Sequence, residues 1–289
     1  MRLRSVELEV PDPPAAVAFM REVWGLAPAG ARSRATYLRG TGDHPYLLAF
    51  TASSTPAIAS ITFSGSAGEL DSLHARAVAA GVRAPARVAE FDDPGGGGGF
   101  VVGGAEGERF RFVAEGTRAA PIADRDKPIQ LTHVVLNALD RDACAKFAID
   151  AFGFKLADRT KIMTFVRCNS SHHALAFVHA ELSSLNHIAF EMSDIDAVMK
   201  NIGRLRDLGL QPAWGPGRHG PGNNVFAYFI TPFGASMEYT AEVQRVDDSY
   251  RVGTPDDWKW PPNRIDHWGV SSRDNAKLGE AERTFRFRA

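Results

Sequence analysis

Leu131-Thr132-His133-Val134-Val135-Leu136 is a short apolar run carrying one imidazole, and it overlies Ser5-Val6-Glu7-Leu8 when His133 is placed on Ser5. In that register Asp12, Ala15, Phe19 and Gly25 fall on Asp140, Ala143, Phe147 and Gly153 with no gap. A shift of one residue then lays Ser60-Ile61-Thr62-Phe63 over His187-Ile188-Ala189-Phe190, and Gly107, Arg111, Ala114 and Glu115 over Gly234, Glu238, Ala241 and Glu242. The second half of the chain therefore repeats the first. Three positions break the repeat: Ser5, Ser60 and Arg111 correspond to His133, His187 and Glu238. A scaffold role alone does not predict that contrast. An arginine in the carboxylate's place repels a divalent cation, so the first half is expected to be free of metal.

The elements around these runs follow the same order twice. Residues 2–10 alternate like a strand, 14–24 read as a helix, and 35–39 and 44–51 as strands. A strand at 59–64, a helix at 68–80 with Leu70, Leu73, Ala77 and Val78 on one side, and strands at 100–102 and 109–114 come next. Pro94 and the glycines at 95–99 read as a turn, because no helix follows to make them a phosphate cradle. In the second half, helices are expected at 141–151 and 195–208 and strands near 162–167, 173–179, 225–231 and 235–241. The organisation is a first domain at 1–118, a linker at 119–128 without apolar periodicity, a second domain at 129–243, and an arm at 244–289. The arm sets Tyr250, Trp258, Trp260, Asp266, His267 and Trp268 among prolines, as an extended segment anchored by aromatic side chains would, either as a lid or as packing and subunit contact. Its last dozen residues lack an apolar stripe and are expected to be disordered.

With 289 residues, 44% hydrophobic and 23% charged, the chain can bury a substantial core. A formal net charge of -1 and no dense basic stripe leave neither nucleic acid nor an anionic membrane as a partner. Cys144 and Cys168 are the two cysteines, too few for a disulfide framework, and the first residues lack a secretory apolar region. A cytoplasmic protein is expected.

Each of His133, His187 and Glu238 sits on a short, mostly apolar run, the last within Gly234-Ala235-Ser236-Met237-Glu238-Tyr239. Two histidines and one carboxylate with open coordination positions suit a non-haem Fe(II) oxygenase, because the open positions accept a bidentate substrate and dioxygen together. Mn(II) accepts the same donors. Ligating histidines must be neutral and usually donate their remaining N–H to a nearby acceptor, which the sequence does not identify. Three further groups lie in the same half. His172-His173 precedes Ala174-Leu175-Ala176-Phe177, and strand alternation allows only one of the two to reach the metal. His219 sits in the loop Gly215-Pro216-Gly217-Arg218-His219-Gly220-Pro221-Gly222, and Tyr228 lies on the strand after it. An imidazole can shuttle protons and a phenol can stabilise an oxyanion. His179 and His267 have weaker cases.

These residues resemble a family, the type I extradiol ring-cleaving catechol dioxygenases of the vicinal oxygen chelate superfamily. The motif that carries the resemblance is Tyr228-Phe229-Ile230-Thr231-Pro232-Phe233-Gly234-Ala235-Ser236-Met237-Glu238. The resemblance covers most of the chain and implies an α+β fold of paired βαβββ modules, in two tandem domains of two modules each, the first inactive. It implies His133, His187 and Glu238 as metal ligands, His173 as the acid–base residue, His219 as a pocket histidine and Tyr228 as the active-site tyrosine. Ala227 and the glycine- and proline-rich loop around His219 depart from the family pattern. The implied activity is cleavage of a catechol-type aromatic beside its hydroxyl pair, with both atoms of O2 inserted and Fe(II) as cofactor, in a homo-oligomer. The alternatives are a glyoxalase-like isomerase or lyase, in which the metal acts without oxygen, and a small-molecule-binding protein of the same fold.

Overall fold

The computed structural model describes residues 1–83 and 85–287. Four modules of one design follow each other along the chain. The first comprises β1 (Arg2–Val10), α1 (Pro13–Ala18, continued by a wider π turn at Phe19–Trp24), β2 (Ala27–Arg32), β3 (Ala35–Arg39) and β4 (Leu48–Ala52). The second comprises β5 (Ala57–Gly65), α2 (Ala67–Ala79), β6 (Arg87–Val88), β7 (Gly99–Gly103) and β8 (Arg109–Ala114). The third has β9 (Leu131–Ala138), α3 (Arg141–Phe152), β10 (Lys155–Arg159), β11 (Met163–Arg167) and β12 (Leu175–His179). The fourth has β13 (Ser184–Glu191), α4 (Ile195–Asp207), β14 (Trp214–Arg218), β15 (Val225–Ile230) and β16 (Ser236–Ala241), and the chain ends with α5 (Asn275–Ala281) and β17 (Arg286–Phe287).

Strand pairing repeats as well. The first half runs β2-β3-β4-β1-β5-β8-β7-β6 and the second β10-β11-β12-β9-β13-β16-β15-β14. Register matches residue for residue: Val6 pairs with Leu48 as Val134 does with Leu175, and Glu7 with Ser60 as Val135 does with His187. The repeated residues also have physical work at the helix ends. Asp12 and Asp140 each cap a helix by accepting backbone N–H groups, and Gly25 and Gly153 end those helical segments at φ of 98° and 71°, where a Cβ is disfavoured.

One apolar core runs through both halves, with Phe63, Phe112, Phe152 and Phe154 at one contact between them. At another, Trp24 stacks on Tyr239 at 3.9 Å between ring centroids, and the Tyr239 hydroxyl donates to the Trp24 carbonyl at 2.7 Å. In α2, Leu70, Leu73 and Ala77 are buried as expected, while Val78 points outward.

Five strands escaped the sequence reading, and four of them, β2, β6, β10 and β14, lie at sheet edges. Edge strands pair on one side only and tolerate glycine, proline and charge, so Ala27–Arg32 and Trp214–Arg218 look like loops in sequence. The expectation of a disordered C-terminus is overturned for 278–287. Leu278, Ala281 and Phe285 are buried, and Arg286 of β17 pairs with Ser184 of β13 on one side and Ala57 of β5 on the other. A few apolar side chains in non-periodic positions suffice when the segment closes a gap between two halves. Residues 288 and 289 lie outside the described part of the chain. No helix among the described residues is long and apolar enough to cross a membrane.

Candidate metal centre

The three central strands β9, β13 and β16 are neighbours, and each brings one polar side chain to the same point. His133, His187 and Glu238 are buried, and one potential ligand atom from each lies within 4.8 Å of the others. His133 Nε2 and His187 Nε2 approach Glu238 Oε2 at 3.2 and 3.1 Å and each other at 3.4 Å. Among the described residues this is the group of three or more His, Cys, Asp or Glu that could hold a metal ion.

Local partners turn both imidazoles inward. His133 Nδ1 lies 2.9 Å from the hydroxyl of Thr132, which itself donates to the Ala189 carbonyl at 3.4 Å, so the hydroxyl accepts the Nδ1 hydrogen. His187 Nδ1 donates to Asn186 Oδ1 at 2.8 Å, and the Asn186 amide donates to Asn137 Oδ1 at 2.9 Å. With Nδ1 protonated, Nε2 presents a lone pair, the form a metal requires. Asn224 Nδ2 donates to Glu238 Oε1 at 3.2 Å and Thr240 Oγ1 at 2.8 Å, which leaves Oε2 facing the histidines. Burial pushes the Glu238 carboxyl up, yet His133 and His187, where they carry a proton on Nε2, outweigh it and hold the group below the usual carboxylate range, a role a bound cation would take over. Burial pushes His187 down, partly offset by Glu238. Two neutral imidazoles and an ionised carboxylate, oriented by partners one residue away or on the next strand, fit a divalent ion of intermediate hardness.

The other polar residues singled out in the sequence meet the same point. His173 packs over His133 with ring centroids 4.2 Å apart, and burial holds its pKa well below the ordinary value. His172 turns the other way and bonds Asp158, so one histidine of the pair reaches the centre. Both precede β12, and a bend rather than strand alternation separates them. Tyr228 sets its ring edge-on to His187 at 4.9 Å, and its hydroxyl is 2.8 Å from His219 Nε2. Trp214 stacks on Tyr228, and Phe226 stacks on His219. Burial, then the charge of Glu238, pushes the Tyr228 hydroxyl well above its ordinary pKa, and burial pushes His219 down to about 4.

Thr132, Asn186 and Asn224 were missed as partners, although the first two directly precede the histidines and that adjacency was a usable signal. Asp158, Tyr250 and Trp214 carried no such signal. His179 lies at the exposed end of β12, and His267 packs against Trp260 in the arm, both away from the triad.

In the first half the equivalent point is filled differently. Arg111 pairs with Glu7 and Asp93, Arg4 reaches Asp93 at 3.2 Å, and the Tyr46 hydroxyl lies 3.0 Å from Asp93 and 2.9 Å from Glu7. Two guanidinium groups, two carboxylates and a phenol cluster there instead of two imidazoles and a carboxylate.

Residues 130–239 match the sequence model of the Glyoxalase/Bleomycin resistance protein/Dioxygenase superfamily. Metapyrocatechase 2 of Cupriavidus necator is 30% identical over 144 residues, 48% of this chain and 45% of that protein. An iron-dependent extradiol dioxygenase of Rhodococcus jostii is 28% identical over 134 residues, 41% of this chain and 45% of that protein. The chain thus matches less than half the length of these curated relatives. The crystal structure of a Mn(II)-bound glyoxalase from Novosphingobium aromaticivorans superposes with a TM-score of 0.87 at 32% identity, over 96% of this chain and 93% of that one. Duplicated βαβββ modules, near-complete superposition and a matching sequence model make the chain a member of the glyoxalase/bleomycin resistance protein/dioxygenase superfamily, with its vicinal oxygen chelate fold.

Proposed function

We propose that the chain is an Fe(II)-dependent extradiol dioxygenase, which takes a catechol-type aromatic and O2 and opens the ring beside the hydroxyl pair. Its catalytic unit is residues 129–243. The observation that carries this reading is the packing of His173 on His133, and of Tyr228 with its partner His219 on His187, around the His133, His187 and Glu238 triad. The names of the curated relatives support it.

When bound, the ion supplies Lewis acidity to a chelated diol and a redox centre between substrate and dioxygen. His133 and His187 would hold it through their inward-facing imidazoles and Glu238 through its carboxylate. His173, neutral in its buried setting, is a base for a substrate hydroxyl and later returns the proton to oxygen. Tyr228, kept protonated by burial, donates a hydrogen bond to substrate oxygen as charge develops there, and His219 orients that hydroxyl. Trp214 and Phe226 pack behind both and limit water.

A second reading, a Mn(II)-dependent isomerase or lyase that uses no oxygen, is favoured by the Mn(II)-bound glyoxalase that superposes over nearly the whole chain. Anaerobic reconstitution with Fe(II), metal analysis and an oxygen electrode decide between them. Oxygen uptake with substituted catechols, matched by a yellow ring-opened product and lost in Glu238→Ala, supports the dioxygenase. Stoichiometric metal without uptake across the panel supports the second reading, and no metal binding removes both.

A further inference from the structure

We propose that Asp158, gripped by the C-terminal arm, is a positioning residue that sets the tautomer of His173 through His172. The proposal rests on the acid–base role assigned to His173 for its kinetic consequence, and on geometry alone for the tautomer.

Asp158, His172 and His173 form a buried line. His172 Nε2 lies 2.8 Å from Asp158 Oδ2, and His172 Nδ1 lies 3.0 Å from His173 Nδ1. The other contacts of the Asp158 carboxylate come from the arm: the Gly253 N–H donates to Oδ1 at 2.6 Å, and the Tyr250 hydroxyl donates to Oδ1 and Oδ2 at 3.3 and 3.2 Å. Tyr250 also packs edge-on to the His172 ring, and its hydroxyl is pushed up to about 12 by burial and by Asp158, so it stays a donor. Arg159 N–H donates to the Gly253 carbonyl at 2.9 Å, which seats the arm along β10. At Gly253 a Cβ would sit 2.5 Å from Asp158 Oδ1 and 2.7 Å from Trp258 Nε1, so only glycine allows this approach.

Hydrogen-bond bookkeeping then fixes the line. A carboxylate only accepts, so His172 Nε2 carries its hydrogen. In a neutral imidazole the other nitrogen accepts, so His172 Nδ1 takes the hydrogen of His173 Nδ1. His173 Nε2 is left with the lone pair that a base requires. The arm is in this account a buttress of the acid–base residue: it delivers Gly253 and Tyr250 to a carboxylate that touches no substrate.

The test uses the full-length chain, labelled with 15N-histidine and loaded with diamagnetic Zn(II), and reads imidazole 15N shifts, with His172→Asn and His173→Asn assigning the signals. The expected result is His173 protonated at Nδ1. Asp158→Asn can turn its amide N–H toward His172, which reverses the line and moves the His173 hydrogen to Nε2. In the Fe(II) enzyme the same variant is expected to lose roughly 10²-fold in kcat, with KM and metal content within threefold of wild type. Wild-type His173 protonated at Nε2 overturns the proposal even if Asp158→Asn does not fold, and so does an unchanged His173 tautomer in Asp158→Asn. A correct tautomer pattern in a chain that consumes no oxygen would instead count against the dioxygenase reading.

Discussion

Arg111 occupies in the first half the place that Glu238 occupies in the second: Arg111 pairs with Thr62 across β8 and β5, and Glu238 with Ala189 across β16 and β13. Charge reversal at one register position separates two halves whose strands, caps and helices otherwise agree. Around Arg111 the neighbours became Glu7 and Asp93, which neutralise it. Around Glu238 they became two imidazoles.

Removing Arg111 leaves the half-buried Glu7 without its cation and the buried Asp93 with Arg4 alone. Arg111→Leu is expected to lower the unfolding free energy by about 1–3 kcal/mol, measured by urea denaturation, with metal content per folded chain unchanged. A loss of metal from the folded variant would mean that the first half takes part in the metal centre.

The inward aim of His187 depends on its Asn186 partner. Asn186→Ala, which removes the acceptor of the Nδ1 hydrogen, is expected to weaken metal binding about 10- to 100-fold in competition with a chelator. Affinity equal to wild type would show that the strand backbone alone orients the ring.

In the proposed role Tyr228 contributes a donor and no ligand atom. Tyr228→Phe is therefore expected to retain the metal, while kcat for a substituted catechol falls by roughly 10²-fold. Loss of metal in step with activity would place the hydroxyl's role in assembling the centre.

His44 provides a pH test remote from the metal. Burial, then the positive charge of Arg2, lowers its pKa from 6.5 to about 3, so the folded chain keeps it neutral where the unfolded chain protonates it. Its contribution is complete above pH 6.5 and is lost as pH falls from there toward about 3, at up to about 1.4 kcal/mol per pH unit. His44→Gln should flatten the fall of the urea midpoint with acid. Parallel curves for the variant and wild type would remove His44 from the account.

The repeat, the βαβ pattern and the triad were legible because strand alternation, helix caps and a left-handed glycine are local requirements, satisfied by residues close in sequence. Asp12 and Asp140, Gly25 and Gly153, and the apolar neighbours of His133 and His187 carry those requirements in their identities. The edge strands were not legible, since a strand paired on one side only tolerates the glycine, proline and charge that also mark loops.

Tertiary structure alone decided which polar groups meet. Asp158 and Gly253 are 95 residues apart and touch because the arm returns to β10, and β17 joins β5 to β13 through Phe285 and Arg286, in a tail without periodicity. No neighbour in sequence constrains such contacts. The sequence by itself determined a duplicated scaffold and the half that carries imidazoles, because period and charge are written residue by residue. The partners of those imidazoles beyond the adjacent residue were decided by where distant segments pack, since a buried donor must find its acceptor wherever the fold brings one.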